Sequence, residues 1–71
     1  MEYSVILTPE PEGGFTITMP AFPEYVGFAE TEEDAVVLAR EGIAFEIERL
    51  REQGQTPPAE SGPPKVLLVA A

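Results

Sequence analysis

With 71 residues and neither cysteine nor histidine, the chain has no disulfide to staple it and no thiolate or imidazole ligand for a structural zinc site. Thirteen acidic side chains against four basic ones leave a formal net charge of −9, a field that repels phosphate backbones and anionic membranes and favours basic partners. A single domain over residues 1–71 is expected, and because so small a chain buries only about 60% of its unfolded surface, self-association as a dimer or tetramer is expected to add stability.

The first element is "EYSVILTP", whose β-branched and aromatic content predicts a strand with Tyr3, Val5 and Leu7 on one face; Pro9 ends it. "EPEGG" reads as a turn in which Gly13 and Gly14 can take positive φ. "FTITMP" alternates strictly, with Phe15, Ile17 and Met19 opposed to Thr16 and Thr18. After Pro20 and Pro23, "EYVGFA" predicts a short third strand, with Gly27 as a bulge or a point of close approach.

Residues 31–54 read as a helix. Thr31 stands at the N-cap and Asp34 at the third position of a weakened capping box, with Glu32, Glu33 and Asp34 in the first turn. The apolar stripe is Val36, Ala39, Ile43, Ile47 and Leu50, broadened by Ala35, Leu38 and Phe45. Gly42 costs about 1 kcal/mol against alanine in a helix interior, so its presence suggests a close approach to the sheet. Glu46 with Arg49 and Glu48 with Arg51 are i,i+3 pairs, and Gly54 suits the position just past the helix end. "QTPPAESGPP" is a loop of extended, proline-rich character leading to "KVLLVAA", expected to be a final strand whose two apolar faces place it inside the sheet or at an edge covered by a second subunit.

The expected fold is therefore α+β, in the order β-β-β-α-β. A three-stranded antiparallel meander carries one helix on one face, and the C-terminal strand runs parallel to the first if the two neighbour. Tyr3, Phe15, Phe22 and Phe45 are expected in the core, while Tyr25 and Phe28 flank Gly27 on an edge strand.

Catalysis finds little support. Ser4 and Ser61 lie in no nucleophile context, and a pairing of Ser61 with Lys65 falls in a proline-rich loop. The strand order resembles that of ribonuclease H, but two-metal chemistry needs acids inside adjacent strands, and neither "YSVIL" nor "KVLLVAA" has one. Glu41, Glu46 and Glu48 fit a solvated helix face. No catalytic residue, metal or cofactor is expected. Arg40, Arg49, Arg51 and Lys65 are too scattered to bind nucleic acid, and the helix's acidic polar face is wrong for a membrane surface. The opening "ME" begins no signal peptide, and "VLLVAA" falls far short of the roughly 20 residues of a membrane span, so a cytoplasmic protein is expected.

The order of motifs brings a family with it. Tyr3, the Gly13-Gly14-Phe15 turn and strand, the Pro20, Phe22, Pro23 step, the Thr31, Glu33, Asp34, Ala35 helix start, then Ala39, Gly54 and Pro57, together resemble the HicB-like antitoxin family over about residues 3–61. The resemblance implies a degenerate ribonuclease-H-like fold without nuclease activity. It also implies a partner, a small basic HicA-type toxin that cleaves messenger RNA and is occluded by the antitoxin. The chain departs from the family pattern at Ala21 and at Glu24-Tyr25. It also carries no helix-turn-helix or ribbon-helix-helix segment, so a C-terminal DNA-binding domain and operator binding by this chain are not expected.

The carboxylates near the third strand admit two readings. Glu32, Glu33 and Asp34 cap a helix while Glu24 and Glu30 solvate a loop. Alternatively, Glu24, Tyr25, Phe28, Glu30, Glu32 and Glu33 form a partner-binding surface for a basic toxin. A solitary, self-associating accessory module without a toxin is the other functional expectation.

Overall fold

The computed structural model describes residues 2–71. Its element order is β1 (Ile6–Pro9), β2 (Phe15–Thr18), β3 (Val26–Ala29) and α1 (Glu32–Glu52), an α+β fold with the three strands as an antiparallel meander in the order β1-β2-β3. Leu7 pairs with Ile17, Thr8 with Thr16, Thr16 with Phe28 and Ile17 with Gly27. Because side chains alternate across a strand, this register puts Leu7, Phe15, Ile17 and Ala29 on the helix side. Ile6, Thr8, Thr16, Thr18, Val26 and Phe28 fall on the opposite face, which no other element covers among the described residues.

The turns are built as the prolines and glycines suggest. Gly13 N–H donates to Glu10 O and Glu10 N–H to Gly14 O, both at 3.0 Å, and the two glycines take φ of 104° and 79°. Between β2 and β3, Phe22 N–H donates to Met19 O and Tyr25 N–H to Phe22 O, so the Pro20–Pro23 step is two successive turns. These turns drive Met19 and Phe22 into the interior, where the Phe22 ring meets Tyr3 edge-on with centroids 4.9 Å apart.

Both ends of α1 follow from the sequence. Thr31 has extended φ/ψ, and its Oγ1 accepts from Asp34 N–H at 3.1 Å. At the other end Gly54 takes φ +74° and donates to Arg51 O, while Gln55 N–H reaches back to Leu50 O at 2.8 Å, the paired bonds of a Schellman motif. Of the two expected ion pairs, Glu46 and Arg49 meet at 2.8 Å, whereas Glu48 and Arg51 are both exposed.

The core is small: Ile17, Ala29, Ala35 and Ala39 form its centre, with Leu7 and Tyr25 packed against them. The helix approaches the sheet along Ala35, Ala39 and Gly42. A Cβ built on Gly42 would lie 2.4 Å from Tyr25 Cε1, so the missing side chain is the space the tyrosine ring fills. Small residues thus mark the centre of the contact, and the large apolar residues of the expected stripe flank it. Phe45, expected in the core, is 66% exposed, and Val36 is also exposed. The 3.6-residue periodicity of apolar side chains gives the width of a helix's buried face but not its centre.

The fourth strand is the other departure. Among the described residues "KVLLVAA" pairs with no strand, and Val66 to Val69 stand open to solvent. Tyr3 Oη donates to Pro58 O at 2.7 Å, while Ser4 N–H and Oγ–H both donate to the Glu60 carboxylate. These bonds fix the chain beside the start of β1, and Gly62, Pro63 and Pro64 then carry it onward without a ladder. The parallel β1 partner expected from direction counting is therefore not formed within the chain.

Candidate functional site

Of the six residues expected to meet a partner, the fold brings only some together. β3 begins just after Glu24 and Tyr25 and ends just before Glu30. Its rise of about 3.3 Å per residue therefore places Glu24 and Glu30 at opposite ends, about 20 Å apart. Glu24 lies with Glu46 and Arg49 in a shallow hollow near the helix C-terminus. There the Arg49 guanidinium is held above its ordinary pKa, first by its hydrogen bond and charge contact with Glu46 and further by Glu24. Glu24 thus serves a local charge network.

Tyr25 is turned inward. Its ring fills the space above Gly27 and Gly42, where a Cβ on either glycine would clash with it, and its hydroxyl lies 3.5 Å from Leu38 O, the long limit of a hydrogen bond. Gly27 is accordingly a close-approach point in regular register rather than a bulge. Glu32 and Glu33 remain exposed in the first turn of α1, where the free N–H groups and helix dipole favour negative charge.

Phe28 and Glu30 belong to a different assembly. A basin of about 630 Å³ is lined by Glu10, Glu12, Gly13, Gly14, Thr16, Phe28 and Glu30. The β1–β2 turn supplies the first two acids by folding back beside the end of β3. Gly14 makes this possible, since a Cβ there would lie 2.5 Å from Phe28 Cζ. Thr16 Oγ1 donates to Glu10 Oε2 at 2.6 Å and holds that carboxylate over the sheet. Phe28 is 53% exposed and Val26 more so, on the uncovered face and on a strand whose outer edge has no partner among the described residues.

Glu10, Glu12 and Thr16 are the residues that sequence reasoning missed. Glu10 and Glu30 are 20 positions apart. The signal that joins them is the pairing of two strands, read through the Gly-Gly turn and the strict alternation of "FTIT". The resulting surface has an apolar centre, Val26 and Phe28, beside a threonine-floored acidic rim. Chemically it can desolvate an apolar side chain and receive lysine or arginine around it. Among the described residues no group of three or more carboxylates is placed to hold a metal ion, and no helix is long and apolar enough to cross a membrane.

The chain is similar to UPF0150 protein Ta0767 of Thermoplasma acidophilum, 28% identical over 61 residues that cover 86% of this chain and 88% of that protein. The similarity thus extends over almost the whole of both chains, and the relative's name assigns no activity. No family profile matches the chain. No solved structure matches it either.

Proposed function

We propose that this chain is an antitoxin-like binding module that engages a small basic, RNA-cleaving toxin of the HicA type and occludes it, with no catalysis of its own. The observation that carries the reading is the surface at the end of β3, where exposed Phe28 lies beside Glu10, Glu12 and Glu30, with exposed Val26 two residues back on the same strand face. A basic ribonuclease must present cations to bind RNA, and this acidic rim is complementary to such a surface. Acidic charge steers encounter and selects the partner, while the buried apolar centre supplies affinity. The motif order from Tyr3 to Pro57 supports the same reading.

The test is growth rescue. A small basic ribonuclease of the HicA type is expressed in a host that it arrests, with and without the full-length chain. The native sequence restores growth, and Phe28→Ala combined with Glu30→Lys abolishes the rescue while leaving the unfolding midpoint nearly unchanged. Rescue that survives both substitutions would overturn the assignment to this face. Failure of the native chain to rescue would favour the second reading, a solitary self-associating module, which the unpaired Val66–Val69 segment supports.

A further inference from the structure

Four consecutive apolar residues, Val66, Leu67, Leu68 and Val69, are 77–99% exposed in a segment without hydrogen-bonded structure. Water is a poor environment for such a run, and its composition is that of an interior strand. The same chain offers a matching receptor. Among the described residues β1 is paired on one side only, so its outer edge is open to another strand. The helix packs mainly over β2 and β3 and covers β1 only in part, through Leu7. Between the β1 edge and the flank of α1 lies a groove of about 800 Å³ with Val5, Leu7, Ala35, Val36, Ala39 and Ile43 in its walls, together with Glu60 and Pro63 from the root of the chain's own tail. A strand seated beside β1 would cover Val36 in the groove wall.

Beyond Pro63, the chain's own tail is poorly placed to fill the rest of that groove. Ser4 holds Glu60 level with the start of β1. β1 ends five residues beyond Ser4, about 17 Å on, whereas Val66 follows Glu60 by six residues, up to about 20 Å. A fully extended tail running forward from its anchor would therefore have passed the end of its own β1 where the apolar run begins. Folding back would require a tight reversal within Ser61–Lys65, where Pro63 and Pro64 hold the backbone extended and lack N–H groups. A second copy removes this constraint.

We infer that residues Val66–Val69 of one copy add as a strand to the β1 edge of a second copy, filling its groove, and that the second copy returns the same strand. The contact is isologous, so it closes as a two-fold dimer and hides two edges and two apolar runs at once. The pairing uses the β1 side of the molecule and leaves the β3 face free, so it stands independently of the toxin reading.

The absence of native cysteine makes the test clean. Full-length chain carrying Val5→Cys is mixed with differently tagged chain carrying Leu67→Cys and treated with a short bismaleimide. The expected product joins position 5 of one chain to position 67 of the other, and the doubly substituted chain also links between chains. An internally linked monomer from the doubly substituted chain, with no product from the mixture, would show the strand pairing within its own chain and overturn the inference. So would preferential linkage of Leu67→Cys to Val26→Cys, which would place the strand on the β3 edge. Sedimentation of the unmodified chain provides an independent arm: a dimer at micromolar concentration, weakened at least tenfold by Leu67→Asp with Leu68→Asp, is expected, and a monomer would contradict it.

Discussion

Adding a methyl group at Gly42 sets two effects against each other. Helix propensity favours alanine by about 1 kcal/mol, but the new Cβ would stand 2.4 Å from the Tyr25 ring, and overpacking of this kind costs about 1–3 kcal/mol. Tyr25 is half-buried against the core and cannot swing away without exposing it, so the steric term should win. Gly42→Ala is expected to lower stability by about 1 kcal/mol in a urea titration, whereas in a Tyr25→Ala background the same change should become neutral or stabilising. Equal effects in both backgrounds would show that the two residues do not meet. Phe28 belongs at the same scale with the opposite expectation. Half exposed, it contributes little to folding, so Phe28→Ala should leave the unfolding midpoint nearly unchanged. Partner affinity should weaken 10–100-fold, the loss of about 1.5–3 kcal/mol expected for a central apolar anchor. Tyr25 and Phe28 look alike in the sequence, two aromatics flanking Gly27. Only the strand's alternation, with Tyr25 turned toward Gly42 and Phe28 away from it, separates a core residue from a surface one.

Among the elements, the helix and the second strand were the most legible, because their signals are local. Thr31 caps α1 through its own hydroxyl, and Gly54 ends it by its own φ. Thr31→Ala should therefore cost about 0.5–2 kcal/mol, read as a fall in the thermal midpoint, with Thr31→Ser retaining most of it. Non-local features were harder to read. Phe45 was misplaced because apolar spacing alone does not reveal that Ala35, Ala39 and Gly42 mark the line of contact. Glu10 and Glu12 escaped notice because only strand pairing carries them to Glu30. The final strand does not form within the described chain for a related reason: "VLLV" encodes a preference to pair but not the identity of its mate. Its root is better defined. Glu60 accepts two hydrogen bonds from Ser4, and charge-assisted bonds of this kind are worth about 1.5–3 kcal/mol each before exposure is discounted. Glu60→Ala is expected to release residues 57–64, seen as faster amide exchange at Ser4, while protection at Ile17 in the sheet interior persists. Uniform loss of protection would mean that the anchor supports the whole fold.

For the molecule as a whole, the charge of −9 on so small a body dominates. Self-repulsion opposes the compact state, and the attraction of three acids to the helix N-terminus offsets only part of it. Raising salt to about 0.5 M shortens the Debye length to a few ångströms and should raise the unfolding midpoint of the chain while weakening its complex with a basic partner. The opposite signs distinguish general repulsion from directed complementarity. Two surfaces divide the molecule under this account: the β1 edge and its groove face a second copy, and the acidic basin at the end of β3 faces a different protein. The most direct measurement is amide chemical-shift mapping of the full chain titrated with a small basic ribonuclease of the HicA type. The account predicts displaced resonances at Gly13, Gly14, Val26, Phe28 and Glu30, with Ala35 and Ala39 unmoved. Displacements confined to the first turn of α1 or to Val66–Val69, or none at stoichiometric concentration, would contradict it.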